Sequence, residues 1–329
     1  MKNKRLLDFL DIIFNITKPK HPNFITTLSY QTTMVSLFSL FKGTAITGLF
    51  ISFIGLGALY LNQNSLIYPS WVNNARGYVR KPDFPLSNYF QEDFITTPDD
   101  ERIQVYSFVH NKEKRKTLLM FRPNAGNIGD SIPFIKILFE SHNINIVIWS
   151  YRGYGKSTGK PTERGIKIDS QSVYDFLLEK GLIYTPTNEL IDKPLILHGT
   201  SIGGAVAIDF AHEHKDIIDS LILENTFLSL RKVVPYVFPW LRHFTFLVGD
   251  KWQSESIIGK LDPNMNLLIL NSMKDEIVPS SHSKELYELS NSKYKKIHRF
   301  SRGHHNDLVI QDGYFEILHE FLLQREIVI

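Results

Sequence analysis

From residue 90 onward, short apolar runs alternate with longer stretches in which apolar positions recur every three or four residues. Thr117–Phe121, Asn145–Ser150, Pro194–His198, Ser220–Glu224, Asn266–Asn271 and Lys295–Phe300 read as strands, short and mostly rich in Leu, Ile and Val. Ser131–Glu140, Ile168–Glu179, Gly203–Glu213 and Gly313–Gln324 read as helices between or after them. Strands that are apolar on both faces need cover on both sides. The alternation therefore predicts an α/β fold, a mostly parallel sheet with helices on both faces. Phe90–Thr96 and Gln104–Val109, joined through Pro98-Asp99-Asp100, predict an antiparallel hairpin leading into that sheet.

A different pattern precedes the body. No charged residue occurs from Gly43 to Ala75, and Thr44–Leu61 is its most apolar part. As a helix this part would be about 27 Å long, enough to cross the hydrocarbon layer of a bilayer. Its Gly and Ser content suits a membrane helix, and Tyr60 and Tyr68 stand where interfacial aromatics are expected. Three regions follow: a basic arm at 1–42, an N-terminal transmembrane anchor at 43–62, and a body at 63–329. The alternative for 43–62 is a buried or interfacial helix. The segment lies too deep in the chain for an ordinary cleaved signal peptide, which favours an uncleaved signal-anchor. Leu6, Leu7, Phe9, Leu10, Ile13 and Phe14 have helical spacing, as in a membrane-surface helix or a weakly folded tail.

Charge sharpens this picture. The 329 residues include 37 Lys and Arg against 34 Asp and Glu, a net of +3. Residues 1–42 hold six basic and two acidic residues, so the remaining chain is close to neutral, at −1. Positive charge before the span predicts a single-pass membrane protein with a cytosolic N-terminus and the body in a lumen or outside. Endoplasmic reticulum, vacuole and plasma membrane all fit. A body without basic excess gives no footprint for nucleic acid. The chain has no cysteine, which excludes disulfides, thiolate metal sites and a cysteine nucleophile. His198, His212, His214 and His243 form no metal pattern and read as packing or surface residues, so no cofactor or metal is expected.

The candidate chemistry begins at Gly199-Thr200-Ser201-Ile202-Gly203-Gly204, after an apolar strand and before an alanine-rich helix. This is the setting of a nucleophile elbow, a tight turn in which side chains at 199 and 203 would collide with neighbouring strands. A serine hydroxyl needs a base, and the base needs an orienting carboxylate. On such a sheet they follow in the order acid, then histidine. Asp275 lies after the strand 266–271, with Glu276 as competitor. His304 and His305 follow the strand 295–300, and spacing does not choose between them. The oxyanion donors expected by position are the N–H groups of Ile202 and of Asn124, in the loop after Thr117–Phe121.

Taken together, Phe121–Gly129, Tyr151–Ser157, Gly199–Gly204, Leu223–Phe227, Asp275–Pro279 and His305–Asp307 resemble the membrane-anchored hydrolases related to alpha/beta hydrolase domain-containing protein 13 and the fungal bud-emergence (Bem) family. The resemblance covers residues 60 to 325. It implies the alpha/beta-hydrolase fold and a Ser201, His305, Asp275 triad, and it selects His305 over His304 and Asp275 over Glu276. It implies a serine hydrolase acting on carboxylic or thio-esters of lipids or acylated proteins, with acyl-protein thioesterase activity among the options. Relatives usually carry His-Gly where this chain has Arg122-Pro123. Pro123 lacks an N–H but precedes the Asn124 donor. Arg122 reads either as an anion-binding residue or as a solvated or structural one. The departure motivates a second reading, a catalytically inactive hydrolase-fold scaffold at the membrane. Residues 225–262, with Phe227, Tyr236, Phe238, Trp240, Phe244, Phe246 and Trp252, read as a small lid.

Overall fold

A computed structural model of the chain describes residues 24–110, 115–184 and 193–326. It divides into two units, Met1–Leu61 and Asn62–Ile329. The first unit carries most of a long helix, α1, Phe24–Ile67. Within its part Val35–Ile67, the most apolar 18-residue window has mean hydropathy 1.8 and contains no buried residue. It is the one helix among the described residues long and apolar enough to cross a membrane. The helix extends past 43–62 at both ends because no proline interrupts the sequence between Pro22 and Pro69. Inside it, the Thr44, Thr47 and Ser52 hydroxyls donate to the carbonyls of Phe41, Gly43 and Gly48, each at 2.9 Å. Polar side chains in an apolar stretch are thereby satisfied by their own helix. The segment Leu6–Phe14 and the arm before Phe24 lie outside the described residues.

The second unit is built on one sheet. Its strands are β1 (Phe90–Thr96), β2 (Arg102–Phe108), β3 (Thr117–Phe121), β4 (Asn145–Trp149), β5 (Leu195–Thr200), β6 (Ile218–Glu224), β7 (Asn266–Ser272) and β8 (Tyr294–Phe300). The spatial order is β1-β2-β4-β3-β5-β6-β7-β8. β1 pairs antiparallel with β2 and β2 with β4, and all later pairs are parallel. Period-two alternation splits each central strand between two cores. Leu119, Phe121, Val147, Trp149, Leu195 and Leu197 face one core. Leu118, Met120, Ile146, Ile148, Ile196 and Ile222 face the other.

The covering helices are α2 (Ile132–Ser141), α3 (Glu163–Glu179), α4 (Ile202–Glu213), α5 (Leu230–Val237), α6 (Ser254–Ile257), α7 (Ser280–Leu289) and α8 (Tyr314–Glu326). α3 begins five residues before the sequence pattern predicts. Its first turn is polar, and what starts it is a cap: the Thr162 hydroxyl accepts the Gly165 N–H at 3.0 Å. α7 carries no clear apolar stripe, and only His282, Ser283 and Leu286 of it are buried. α5 and α6 lie in the insertion between β6 and β7. Of the insertion's aromatics, Phe227 and Trp252 are buried in the body, whereas Tyr236, Phe238, Trp240 and Phe246 are exposed.

Candidate active site

The turn from β5 to α4 holds Ser201 at φ 55° and ψ −122°, a backbone conformation that costs about 1–3 kcal/mol for a residue with a side chain. Neighbouring groups fix it there. The Ser201 N–H donates to the Glu224 carbonyl at 2.8 Å, and the Thr226 hydroxyl donates to the Ser201 carbonyl at 2.7 Å. The glycines provide the room. A Cβ at Gly203 would lie 2.2 Å from the Phe121 carbonyl oxygen, and one at Gly204 would lie 2.5 Å from Thr226 Cβ. Gly203 thus meets the end of β3, as the sequence pattern predicts. Gly199 differs: its Cβ would strike Gly203 O at 2.5 Å, so it makes room for α4 and not for a strand.

Asp275 follows β7 and His305 follows β8, at the carboxyl edge where β5 delivers Ser201. His305 Nε2 lies 3.0 Å from Ser201 Oγ. His305 Nδ1 lies 2.7 Å from Asp275 Oδ2. The other Asp275 oxygen, Oδ1, accepts the N–H groups of Ile277 at 2.8 Å and Val278 at 2.7 Å. All three residues are buried, at 7%, 5% and 7% exposure for Ser201, Asp275 and His305. The competitors point elsewhere. His304 Nδ1 and Glu276 Oε2 face each other at 3.4 Å with half of each side chain exposed.

Two loops carry the acid and the histidine, and they are knitted together. The Met273 N–H donates to Phe300 O and the Lys274 N–H to Gly303 O, both at 2.9 Å. Asn225, at the end of β6 with φ 45°, bridges three strand ends. Its Oδ1 accepts the Ser272 N–H at 2.8 Å, and its Nδ2 donates to His305 O at 3.0 Å. Sequence reasoning quotes Leu223–Phe227 as a motif but gives Asn225 no role. No pattern in the sequence marks it; the left-handed backbone, which Asn tolerates, is seen only in the structure.

Below the elbow lies a second polar group, Glu224. Its Oε2 accepts Thr200 Oγ1 at 3.0 Å, its Oε1 lies 2.9 Å from His198 Nε2, and the same oxygen accepts the Tyr314 hydroxyl. Burial alone would raise its pKa, but the His198, Tyr314 and Thr200 contacts outweigh that and hold it below the ordinary carboxylate value. His198 is therefore a buried partner of this carboxylate, not a surface residue.

The loop after β3 is held from both sides. The Tyr151 hydroxyl donates to Arg122 O at 2.8 Å, the Tyr154 hydroxyl to Asn124 O at 2.9 Å, and Asn124 Nδ2 to Ile67 O at 2.9 Å. Arg122 is buried, and its guanidinium donates to Ala125 O at 2.6 Å. Burial pushes its pKa down to about 10, with Asp130 pulling the other way. Arg122 is thus a structural residue that braces the loop, neither solvated nor turned outward to a ligand. Ile202 is the first residue of α4, where the N–H groups have no acceptor within the helix. Among the described residues no group of three or more His, Asp or Glu side chains is spaced to hold a metal ion.

A family model described as serine aminopeptidase, S33 matches residues 133–266, a stretch that includes Ser201 and ends before Asp275. The chain is 41% identical to the membrane protein YNL320W of Saccharomyces cerevisiae, over 83% of this chain and 93% of that one. It is 37% identical to protein bem46 of Schizosaccharomyces pombe, over 89% and 96%. Among solved structures, the esterase Pf2001 of Pyrococcus furiosus superposes with a TM-score of 0.58 at 19% identity, over 76% of this chain and 98% of that one. An alpha-beta hydrolase from Vibrio vulnificus gives 0.60 at 18%, over 78% and 91%. At such identity these likenesses show the fold alone. With identity of this order extending across nearly all of bem46 and YNL320W, the chain belongs to the bem46 family of alpha/beta-hydrolase-fold proteins.

Proposed function

We propose that the protein is a membrane-anchored serine hydrolase that cleaves carboxylic or thio-esters through an acyl-enzyme. The observation that carries this reading is the continuous chain Ser201 Oγ, His305 Nε2, His305 Nδ1 and Asp275 Oδ2, with separations of 3.0 Å and 2.7 Å. His305 takes the proton of Ser201 as the oxygen attacks the ester carbonyl. Asp275 fixes the imidazole tautomer and stabilises the imidazolium. The N–H groups of Asn124 and Ile202 stabilise the oxyanion of the tetrahedral intermediate. His305 then protonates the leaving alcohol or thiol, and water, activated by the same imidazole, releases the acid from Ser201.

The braced loop after β3 favours activity over the scaffold reading, because Arg122-Pro123 leaves the Asn124 N–H in place and buried side chains fix its surroundings. Val35–Ile67 supports anchoring. The basic arm supports a cytosolic N-terminus. The insertion 225–262 serves as a lid: the Tyr236 hydroxyl donates to Asp275 O at 3.1 Å. A bilayer at one end of the chain favours lipid or acylated-protein esters. The test is a screen of purified full-length protein against esters of increasing acyl length and matching thioesters. Turnover that falls about 10⁴-fold or more in Ser201→Ala is expected. Turnover unchanged in that variant, or no turnover by folded protein on any member, contradicts the proposal.

A further inference from the structure

Three exposed aromatics of the insertion fall within nine residues, on and beside two short turns. Trp240 is 61% exposed, Phe246 66% and Phe238 44%. Phe238 and Trp240 pack edge to face with ring centroids 6.5 Å apart. The short turns that carry Trp240 and Phe246 both pack on α5. Exposed aromatics this closely spaced in the chain are candidates for a contact site.

Its place in the fold says what covers it. Three residues after Phe246, the Gly249 N–H donates to Gln63 Oε1 at 2.8 Å. Next to it, Asp250 Oδ2 accepts the Tyr68 hydroxyl at 2.7 Å, and that hydroxyl accepts Trp252 Nε1–H at 2.7 Å. Gln63 belongs to Asn62-Gln63-Asn64, the polar triplet that ends the apolar run at Leu61. That triplet is where a spanning helix meets the headgroups. Three residues of chain reach at most about 11 Å, and the headgroup layer is about 5–8 Å deep. Phe246 is therefore within one chain-length of the bilayer surface. The composition matches: residues 225–262 hold five basic residues against three acidic, with Arg242 exposed two positions from Trp240. Trp with flanking cations is the chemistry of the membrane interface.

We propose that the Phe238, Trp240 and Phe246 face is a second membrane-contact surface, seated in the interfacial layer of the bilayer that holds α1. This rests on the reading of α1 as a spanning helix. It does not depend on catalysis at Ser201.

The test uses full-length protein reconstituted in phosphatidylcholine vesicles brominated near the top of the acyl chains. Of the four tryptophans, Trp149 and Trp252 are buried. A Trp71→Phe background, compared with the Trp71→Phe, Trp240→Phe pair, isolates Trp240. Emission from Trp240 is expected to fall about twofold on brominated against plain lipid and to resist aqueous acrylamide. Emission indifferent to bromine overturns the proposal. Acrylamide protection without bromine quenching, lost on dilution, also overturns it and assigns the face to a second copy of the chain. Alkaline extraction of the same vesicles separates the two readings. Protein retained but unquenched overturns the aromatic seat alone. Protein released yet quenched before extraction overturns the anchor, and with it the proposal that this face is a second contact beside a spanning helix. Protein released and unquenched overturns both.

Discussion

Gly203 has no room for a methyl group, because its Cβ would fall 2.2 Å from Phe121 O and 2.5 Å from Arg122 O, both backbone atoms. Gly203→Ala must lift α4 off β3, at a cost of about 1–3 kcal/mol or more, and with it displace Ser201. A lower melting temperature together with lost turnover is expected. Unchanged melting would mean the elbow is looser than these contacts. Buried His282 makes a pH prediction. Burial, aided by Lys232, holds its pKa down to about 4, against the pull of Glu255 and Asp275. The unfolded chain binds this proton near pH 6.5 and the folded chain only near 4. Stability contributed by His282 is thus complete above pH 6.5 and is lost as pH falls towards 4. Urea midpoints measured across pH 4–7 should fall with acid more steeply in the native chain than in His282→Leu.

At the scale of elements, the site is a meeting of loops. Ser201, Asp275 and His305 stand out in the sequence because each follows an apolar strand and sits in a short motif. Their partners do not, because their roles arise only where strand ends converge. Asn225 acts on Ser272 and His305, 47 and 80 residues away. Glu224 acts on Tyr314, 90 residues away. The helix α7 is equally silent in the pattern, since Ser280–Leu289 is mostly polar and buries only one large apolar residue, Leu286. Asn225→Ala keeps the fold but frees the His305 carbonyl. It removes the bonds to the Ser272 N–H and the His305 carbonyl, each worth about 1 kcal/mol, so kcat should fall by roughly 5- to 30-fold with KM little changed. An unaltered kcat would show that the histidine loop needs no such clamp.

At the scale of the whole molecule, hydropathy alone marks the apolar helix, whereas its full length depends on where prolines stand. If α1 spans a bilayer, alkaline carbonate should leave the chain in the membrane pellet, and release to the supernatant would refute a spanning helix. The tie from Asn124 to Ile67 O joins the end of that helix to the loop after β3. No local sequence pattern announces such a bond across 57 residues. Above all, the contacts of Ser201 with His305 and of His305 with Asp275 require the hydroxyl of residue 201 to be reactive in this chain. A fluorophosphonate probe measures that reactivity directly. A single adduct mapped by mass spectrometry to Ser201, lost in Ser201→Ala and strongly slowed in His305→Ala, is the predicted result. Folded protein that acquires no adduct, or acquires it equally well without His305, would contradict it.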